Sequence, residues 1–358
     1  MPTSNIYNTL EKKIMQLRPT ERITRVRNMT WLMVGIYQSQ SVCMSRVANK
    51  IQSKAKLLST TRRLSRLLNN PAIQVREWYE ETAIEWTEKQ KQSNGEIWLI
   101  IDCTKIGMSH QLLMVSIAYR KRAIPIAWTW VKHVRGHSTS SKQLALLAYV
   151  RKLVPAYTEV FLVGDSEFGS VDVLRTLDSW KWNYVMRQKG RTNVWIDEES
   201  EWKNFSSLVK KPGESKWFGK RDFTKKEIYP VNIMIHWKYG EKTPWFLTTN
   251  LTDSSMTLHY YRRRMWIEEM FGDMKSNGFD LEKTMLRDFL RLSRLTLVVA
   301  LLYVWLISTG TWVIHVGKRH IVDRKDRRDL CIFQIGLRYC DWCFSSDNDL
   351  KIRSCYYQ

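Results

Sequence analysis

The sequence has few cysteines, and its first residues show no pattern typical of a secretory signal. Its six cysteines in 358 residues are too few for the disulfide framework that supports small secreted proteins. The first residues, Met1–Asn5, contain no basic stretch followed by an apolar run, so we expect no secretory signal. These absences favour a cytoplasmic protein with reduced cysteines.

Acidic residues are scarce relative to basic ones. The chain has 35 Asp and Glu against 57 Lys and Arg, a formal net charge of +22. So large an excess opposes a compact state by self-repulsion unless an anionic partner offsets it, and nucleic acid is the commonest such partner. An anionic membrane surface and an ordinary basic housekeeping protein remain open. Apolar residues make up 44% of the chain, which excludes a largely disordered protein.

Long apolar runs are absent except for Leu295–Val316, which is almost free of charge. The run is long enough to cross a bilayer. A helix buried inside a protein has the same composition, because it is apolar on every side. Since no second span accompanies it, we predict a core helix and no membrane partner.

The C-terminal cysteines allow two interpretations. Cys340 and Cys343 form one CxxC pair, with Cys331 and Cys355 nearby. Four thiolates at this density could bind zinc. Their spacings fit no paired zinc knuckle, so we favour reduced cysteines in a packed C-terminal tail.

Residues 1–94 are predicted to form a helical DNA-binding domain. Apolar residues recur near helical spacing up to about residue 92, and Ser93–Gly95 is a turn signal. Basic residues are frequent between residues 46 and 66. A helical bundle that contacts DNA phosphates has this pattern, although a solvated helix face has it too.

Residues 95–315 are predicted to form an α/β domain with a mixed sheet and flanking helices. The predicted elements are strands at 98–101, 112–119 and 123–131, a helix at 141–154, a strand at 160–163, a helix at 171–177 and a strand at 184–186. A strand-rich insertion follows at about 190–250. Helical pattern then returns at 257–277 and 281–314, and residues 316–358 form a C-terminal tail.

Two aspartates follow apolar strands. Asp102 comes after Trp98–Ile101, and Asp165 comes after Val160–Gly164. Sites in open sheets form beyond the carboxyl ends of strands, so these side chains lie together if the strands are neighbours. Adjacent carboxylates repel each other, and a hard divalent cation such as Mg²⁺ or Mn²⁺ removes that cost. Each aspartate taken alone fits a turn or a helix cap equally well.

A later helical segment carries a third carboxylate between cations. In one continuous helix, Tyr261, Arg264, Glu268 and Lys275 would fall on one face, within roughly 60° of one another. A carboxylate in such a stripe can bind metal while the cations hold phosphates. An exposed ion pair between Arg264 and Glu268 is the simpler alternative.

The pattern Tyr-x2-Arg-x3-Glu-x6-Lys, filled by Tyr261, Arg264, Glu268 and Lys275, resembles a known family signature. It is similar to that of the DDE-type transposases of bacterial insertion sequences, in the branch named YREK. The segments Trp266–Phe271, Gly278–Glu282, Ile101–Asp102 and Val163–Gly169 also look like that family. The order of two aspartates, a strand-rich insertion and a glutamate on a helix matches the family layout.

The resemblance implies a ribonuclease-H-like core that cuts and joins DNA. It assigns Asp102, Asp165 and Glu268 as catalytic ligands of two Mg²⁺ or Mn²⁺ ions. Tyr261, Arg264 and Lys275 would contact phosphates of the transposon end. Trp245 would stack on a flipped base. The partners implied are double-stranded DNA, both transposon ends and target, and a second copy of the chain in a homodimer. A cytoplasmic, nucleoid-associated protein is expected. A transposase-derived DNA-binding protein without catalysis is the alternative.

Overall fold

The computed structural model describes residues 2–107, 110–132 and 137–345. The described chain divides into two compact units. The first consists of residues 2–89, 105–107, 110–111 and 271–345, and the second of residues 90–104, 112–132 and 137–270. The predicted domain limits at 94 and 315 were drawn from the sequence pattern and remain a prediction.

The second unit is organised around one mixed sheet. Its strands are β1 (Glu96–Ile106), β2 (His110–Tyr119), β3 (Arg122–Lys132), β4 (Glu159–Gly164), β5 (Asn183–Arg187), β6 (Asn193–Ile196), β7 (Glu201–Asn204), β8 (Ser215–Phe223), β9 (Tyr229–His236) and β10 (Trp245–Thr249). They lie in the order β3-β2-β1-β4-β5-β10-β9-β8-β6-β7. The predicted strand-rich segment at about 190–250 contains β6 to β10, and these strands extend the same sheet through the antiparallel pairing of β10 with β5.

Parallel pairing at the centre of this sheet follows from the crossover helices. Helix α6 (Ser140–Leu153) leads from β3 to β4, and helix α7 (Val171–Ser179) leads from β4 to β5. β4 is parallel to both β1 and β5, and its side chains from Val160 to Val163 are buried, as expected for a strand covered on both faces. The predicted α/β class and its β-β-β-α-β-α-β order are confirmed. The finer assignment to the ribonuclease-H-like fold stays a prediction.

One strand runs further than predicted. β1 does not stop at Ile101, because it continues through Asp102 as far as Ile106. Its pairing with β4, however, ends at Ile101 opposite Gly164. Asp102 therefore lies inside a strand, yet at the end of the parallel ladder.

The first unit is helical. Its N-terminal helices are α1 (Pro2–Leu17), α2 (Ile23–Ser39), α3 (Met44–Lys50), α4 (Leu57–Asn69) and α5 (Val75–Asn94), the last of which continues into the second unit. The predicted helical character of the N-terminal residues is confirmed. Their predicted contact with DNA remains a prediction.

The long apolar segment forms a helix, α10 (Phe289–His315), after α8 (Ser254–Tyr261) and α9 (Met265–Met274). It is the one helix in the described chain long and apolar enough to cross a membrane, and 89% of its most apolar 18-residue stretch is buried within the protein. The prediction that this helix begins at Leu281 is wrong. Residues Leu281–Lys283 form a 3₁₀ turn, and the carboxylate of Asp288 caps α10 by accepting the N–H of Arg291.

Two C-terminal cysteines are buried. The last helix, α11 (Ile332–Ser345), carries Cys340 and Cys343 on its buried side as free thiols. Burial raises the pKa of both thiols, so they stay protonated near neutral pH. Cys331 is a half-buried free thiol, and Cys355 lies outside the described residues.

Candidate functional site

Strand register brings three polar residues into one row. Ile101 on β1 pairs with Gly164 on β4, and Gly164 pairs with Met186 on β5. Because all three strands are parallel, the residues that follow are also neighbours, and these are Asp102, Asp165 and Arg187. The predicted meeting of the two aspartates therefore agrees with the strand register.

Sequence analysis missed Arg187. A signal was available, because Arg187 follows the apolar run of β5 in the same way that Asp165 follows the run of β4. The guanidinium of Arg187 donates to the carbonyl of Pro244 at 3.3 Å and to the hydroxyl of Thr243 at 3.2 Å. These bonds hold a cation beside the aspartate row.

The segment that carries the signature is not one continuous helix, contrary to the prediction. Tyr261 ends α8, Arg264 lies in a 3₁₀ turn (Arg262–Arg264), and Glu268 lies in α9. A 3₁₀ turn has three residues per turn, so it rotates every later position away from the expected α-helical face. Lys275 follows the last residue of α9 and belongs to the first unit. The predicted single continuous helix is therefore wrong, although Tyr261 and Glu268 both still lie beside Arg264.

An aromatic cluster holds the 3₁₀ turn in place. The guanidinium of Arg263 lies 3.8 Å from the ring centre of Trp98 on β1, and its Nη2 is 2.8 Å from the Nε2 of His259. The hydroxyl of Tyr260 and the indole N–H of Trp98 both donate to the carboxylate of Glu96. Stacking a cation on aromatic faces in a buried setting is favourable by about 2 kcal/mol. The cluster therefore ties the turn to β1 and leaves Arg264 free to face the other way.

Arg264 joins two of the three predicted carboxylates. Its Nη1 donates to Asp102 Oδ2 at 3.1 Å, and its Nη2 donates to Glu268 Oε1 at 2.6 Å. The side chain of Arg264 is 9% exposed and that of Asp102 is 14% exposed, whereas that of Glu268 is 47% exposed. Burial lowers the pKa of Arg264, but Tyr261 and the nearby carboxylates raise it above its usual value, so this side chain stays charged.

The surroundings of Asp102 raise the pKa of its carboxyl group. Burial raises its pKa to about 7, and the negative charges of Asp165 and Glu268 act in the same direction. Arg264 and the backbone N–H of Cys103, which donates to Asp102 Oδ1 at 2.7 Å, oppose the rise without cancelling it. The three carboxyl groups therefore lie within electrostatic range of one another, although they are far apart along the chain.

Tyr261 and Trp245 form an aromatic wall next to the carboxyl groups. Their ring centres are 5.0 Å apart in an edge-on arrangement. The imidazole ring of His236 packs beside them, with its centre 5.7 Å from that of Trp245. Trp245 is only partly buried, which excludes a fully enclosed core position. Burial raises the pKa of Tyr261 to about 12, the effect of Arg264 being in the opposite direction.

Glu167 contacts Ser138 and the side chain of Cys103, the residue that follows Asp102. Its carboxylate accepts the backbone N–H of Ser138 at 2.6 Å and also the Ser138 hydroxyl. The thiol of Cys103 donates to the same carboxylate at 3.5 Å. Burial is the main cause that raises the pKa of this thiol, and the negative charge of Glu167 raises it further. Gln143 donates to the backbone oxygen of Glu167 at 3.2 Å. Glu167 therefore links Ser138 to Cys103 beside Asp102, and the sequence pattern alone did not single it out.

Six of the seven predicted site residues fall in the second unit, and the seventh, Lys275, is in the first. Lys275 is half-buried, and its backbone N–H donates to the carbonyl of Phe271 at 3.0 Å. Burial lowers the pKa of its ammonium group, while the carboxylate of Glu282 acts against that change. The predicted phosphate contact of Lys275 remains a prediction.

The carboxyl groups do not form a closed metal cage in this arrangement. Within residues 2–107, 110–132 and 137–345, no three His, Cys, Asp or Glu side chains converge tightly enough to hold a metal ion. Arg264 contacts one carboxylate oxygen of Asp102 and one of Glu268. The donor chemistry itself suits a hard divalent cation, because all three groups are carboxylates.

Comparison with family models identifies the family, and comparison with solved structures gives a distant similarity. Among curated proteins, none matches the chain. A cryo-EM structure of a piggyBac transposase synaptic complex with hairpin DNA is similar, with a TM-score of 0.46, 12% identity, and coverage of 96% of this chain and 77% of that chain. The sequence profile described as "Transposase DDE domain" matches residues 81–305, which is more than half of the chain. The chain therefore belongs to the transposase DDE domain family.

Proposed function

We propose that this transposase cleaves the ends of a bacterial insertion sequence and joins them to target DNA in a metal-dependent reaction. The observation that carries the proposal is the bridge from Arg264 to Asp102 and Glu268, with Asp165 in register beside Asp102. Two carboxylates from neighbouring strands and one from a helix meet around one cation. Such a group is an expected catalytic centre in a protein of this family.

Asp102, Asp165 and Glu268 would hold Mg²⁺ or Mn²⁺, and two ions are expected. The pKa of Asp102, raised to about 7, supports this assignment. Burial and the neighbouring carboxylates disfavour the charged form of Asp102, and a bound cation would stabilise that form. When bound, the metal would supply activation of the nucleophile, which is a water or the 3′-hydroxyl of a DNA strand, and stabilisation of the leaving 3′-oxygen. Arg264 and a metal would contend for the same carboxylate oxygens.

Cations and aromatic groups next to the carboxylates would bind the DNA end. Arg264 and Arg187 offer planar donors that suit phosphate oxygens. Tyr261 would bind and not attack, because its buried hydroxyl has a pKa of about 12 and resists deprotonation. The partly exposed indole of Trp245 would stack on a base displaced from the helix. Lys275 would contact a further phosphate.

The remaining parts of the proposal come from the signature. The Tyr261–Lys275 pattern supports membership of the YREK branch, which would imply a ribonuclease-H-like core. The basic N-terminal helices would bind the terminal inverted repeats. The protein would act as a homodimer in the synaptic complex, in the cytoplasm and associated with the nucleoid.

A cleavage assay tests this function. The full chain is mixed with DNA that carries the element's own ends, with Mg²⁺ present or replaced by a chelator. Cuts at the element boundary should appear only with Mg²⁺, since the carboxylates need a cation to stabilise the transferring phosphate. Tight binding of the ends without cleavage at any Mg²⁺ or Mn²⁺ concentration would instead favour a DNA-binding protein derived from a transposase.

Trp245→Ala is expected to weaken end binding and cleavage by roughly 5- to 150-fold, because stacking on one base is worth about 1–3 kcal/mol. Trp245→Phe is the matched control, since it keeps an aromatic face and should retain most of the activity. Equilibrium binding and single-turnover cleavage on end-containing DNA measure both effects. Equal activity of the Ala and Phe variants would remove Trp245 from the DNA contact.

A further inference from the structure

The segment Gly317–Leu330, named the basic loop from this point, connects α10 to α11. It contains six Lys and Arg residues and one histidine against three aspartates. A 3₁₀ turn (Lys318–Ile321) opens it, and the residues from Arg324 to Asp329 are all exposed. The loop is thus a strongly charged surface feature outside the carboxylate site.

One partly buried ion pair, between Arg319 and Asp323, forms the interior of the basic loop. Arg319 Nη1 donates to Asp323 Oδ2 at 3.0 Å and to the carbonyl of Arg327 at 2.8 Å, and Arg319 Nη2 donates to the carbonyl of Lys325 at 3.0 Å. In return, the carboxylate of Asp323, only 2% exposed, accepts the backbone N–H of Arg324 at 2.9 Å. The loop is therefore an ordered structure held from within by its own backbone.

This interior leaves the other cations at the surface. The side chains of Arg324 and Arg327 are 63% and 64% exposed, and both lie close to Asp329. Exposed ion pairs of this kind contribute between nothing and about 1 kcal/mol to stability. Stabilisation of the fold therefore does not explain why the loop keeps so many cations on an ordered backbone.

A concavity adjoins the basic loop. It has a volume of about 470 Å³, and its charged and polar lining consists of His320, Arg324 and Arg338 together with Asp323 and Asp329, whose carboxylates are already engaged in the ion pairs of the loop. Arg338 is an exposed residue of α11, so two separate elements supply guanidinium groups to the same surface. Guanidinium groups converging on an open hollow suit the oxygens of a phosphate.

We propose that the basic loop is a DNA-binding surface that contacts the phosphates of double-stranded DNA without selecting a sequence. An ordered backbone with outward cations matches the repeating charge of a duplex, and phosphate contacts carry no sequence information. An anionic membrane is the weaker partner, because the exposed stretch from Arg324 to Asp329 contains no apolar residue to enter the interface. The surface is separate in role from the proposed end-cleaving site.

Salt-dependent DNA binding tests the proposal. The probe is a duplex of unrelated sequence, and a second duplex carries the element's end, both without metal. The variant Arg324→Gln/Lys325→Gln/Arg327→Gln removes three outward charges and keeps the backbone acceptors of Arg319. Each lost phosphate contact reduces the slope of log affinity against log salt by about 0.9, so the slope should become shallower by roughly two to three on both duplexes.

Two further variants make the result specific. The control Lys121→Gln/Lys152→Gln/Lys181→Gln removes the same charge from exposed positions elsewhere, and its slope should stay near that of the unmodified chain. The variant Arg324→Lys/Arg327→Lys keeps the charge and should keep the slope. If the triple loop variant does not fold, Lys325→Gln alone should reduce the slope by about one.

Several outcomes would overturn the proposal. They are an unchanged slope in the loop variant, an equal change in the control variant, a change confined to the end-containing duplex, or a loss of binding to phosphatidylserine vesicles with DNA binding intact. Because the assay contains no metal and measures no cleavage, it remains decisive even if the proposed catalytic function fails.

Discussion

Asp102→Asn is expected to reduce Mg²⁺-dependent cleavage of end-containing DNA by at least about 10³-fold, with DNA binding largely intact. A carboxylate that helps to hold a catalytic metal contributes several kcal/mol to the transition state, and about 4 kcal/mol corresponds to this factor in rate. Asn preserves the shape of the side chain and its bond to the Cys103 N–H, so the backbone should not move. Asp165→Asn and Glu268→Gln should show the same loss in single-turnover cleavage assays.

Glu269→Gln is the matched control for Glu268→Gln. Glu269 is the next residue of α9, its side chain is 58% exposed, and it pairs with Arg122 at 3.2 Å, apart from the carboxyl cluster. Its cleavage rate should remain close to that of the unmodified chain. Full cleavage by any one of the three cluster variants would exclude that carboxylate from the metal site, and inactivity of the Glu269 variant would point to general damage of the helix.

The row of Asp102 and Asp165 was predictable from local sequence. Both residues follow short apolar runs bounded by polar residues, and such runs indicate buried strands of a parallel sheet. Their predicted proximity in turn predicted a cation at the site, because two adjacent carboxylates repel each other unless a positive charge compensates them. The structure adds that the cation in this arrangement is Arg264, which the sequence had placed beside Glu268 alone.

The 3₁₀ turn at Arg262–Arg264 was not predictable from local sequence. No glycine or proline interrupts the helical pattern between Ser254 and Phe271, so an uninterrupted helix was the natural expectation. The cause is tertiary, because Arg263 is held by Trp98, a residue more than 160 positions earlier in the chain. Contacts of this range override helical periodicity, and only the folded chain shows them.

The start of α10, in contrast, was predictable from the local sequence. The capping residue Asp288 was visible in the sequence, but the apolar spacing before it suggested that the helix began at Leu281. Asp280 adopts a left-handed backbone conformation with φ of 58°, which an α-helix does not contain. Greater weight on the cap than on periodicity would have given the correct boundary.

Gly336→Ala is expected to destabilise the protein by about 3 kcal/mol, because α10 and α11 approach each other through glycine. A Cβ at Gly336 would lie 2.0 Å from the carbonyl oxygen of Leu306, and a Cβ at Gly310 would lie 2.0 Å from that of Ile332. Both obstacles are backbone atoms, which no side-chain rotation can move. The helices would have to separate, and the stacked rings of Tyr303 and Phe333 would lose their contact.

Gly272→Ala is the matched control, because it makes the same change inside α9 where the nearest obstacle is the flexible side chain of Asn277, at 3.1 Å. Ala is preferred over Gly in a helix by about 0.8–1.0 kcal/mol, so this variant should be neutral or slightly more stable. Chemical denaturation followed by circular dichroism measures both free energies of unfolding. Since the helical preference favours Ala equally in the two helices, the difference between the variants isolates the cost of separating α10 from α11. Equal stabilities would mean that these helices do not pack at glycine contact distance.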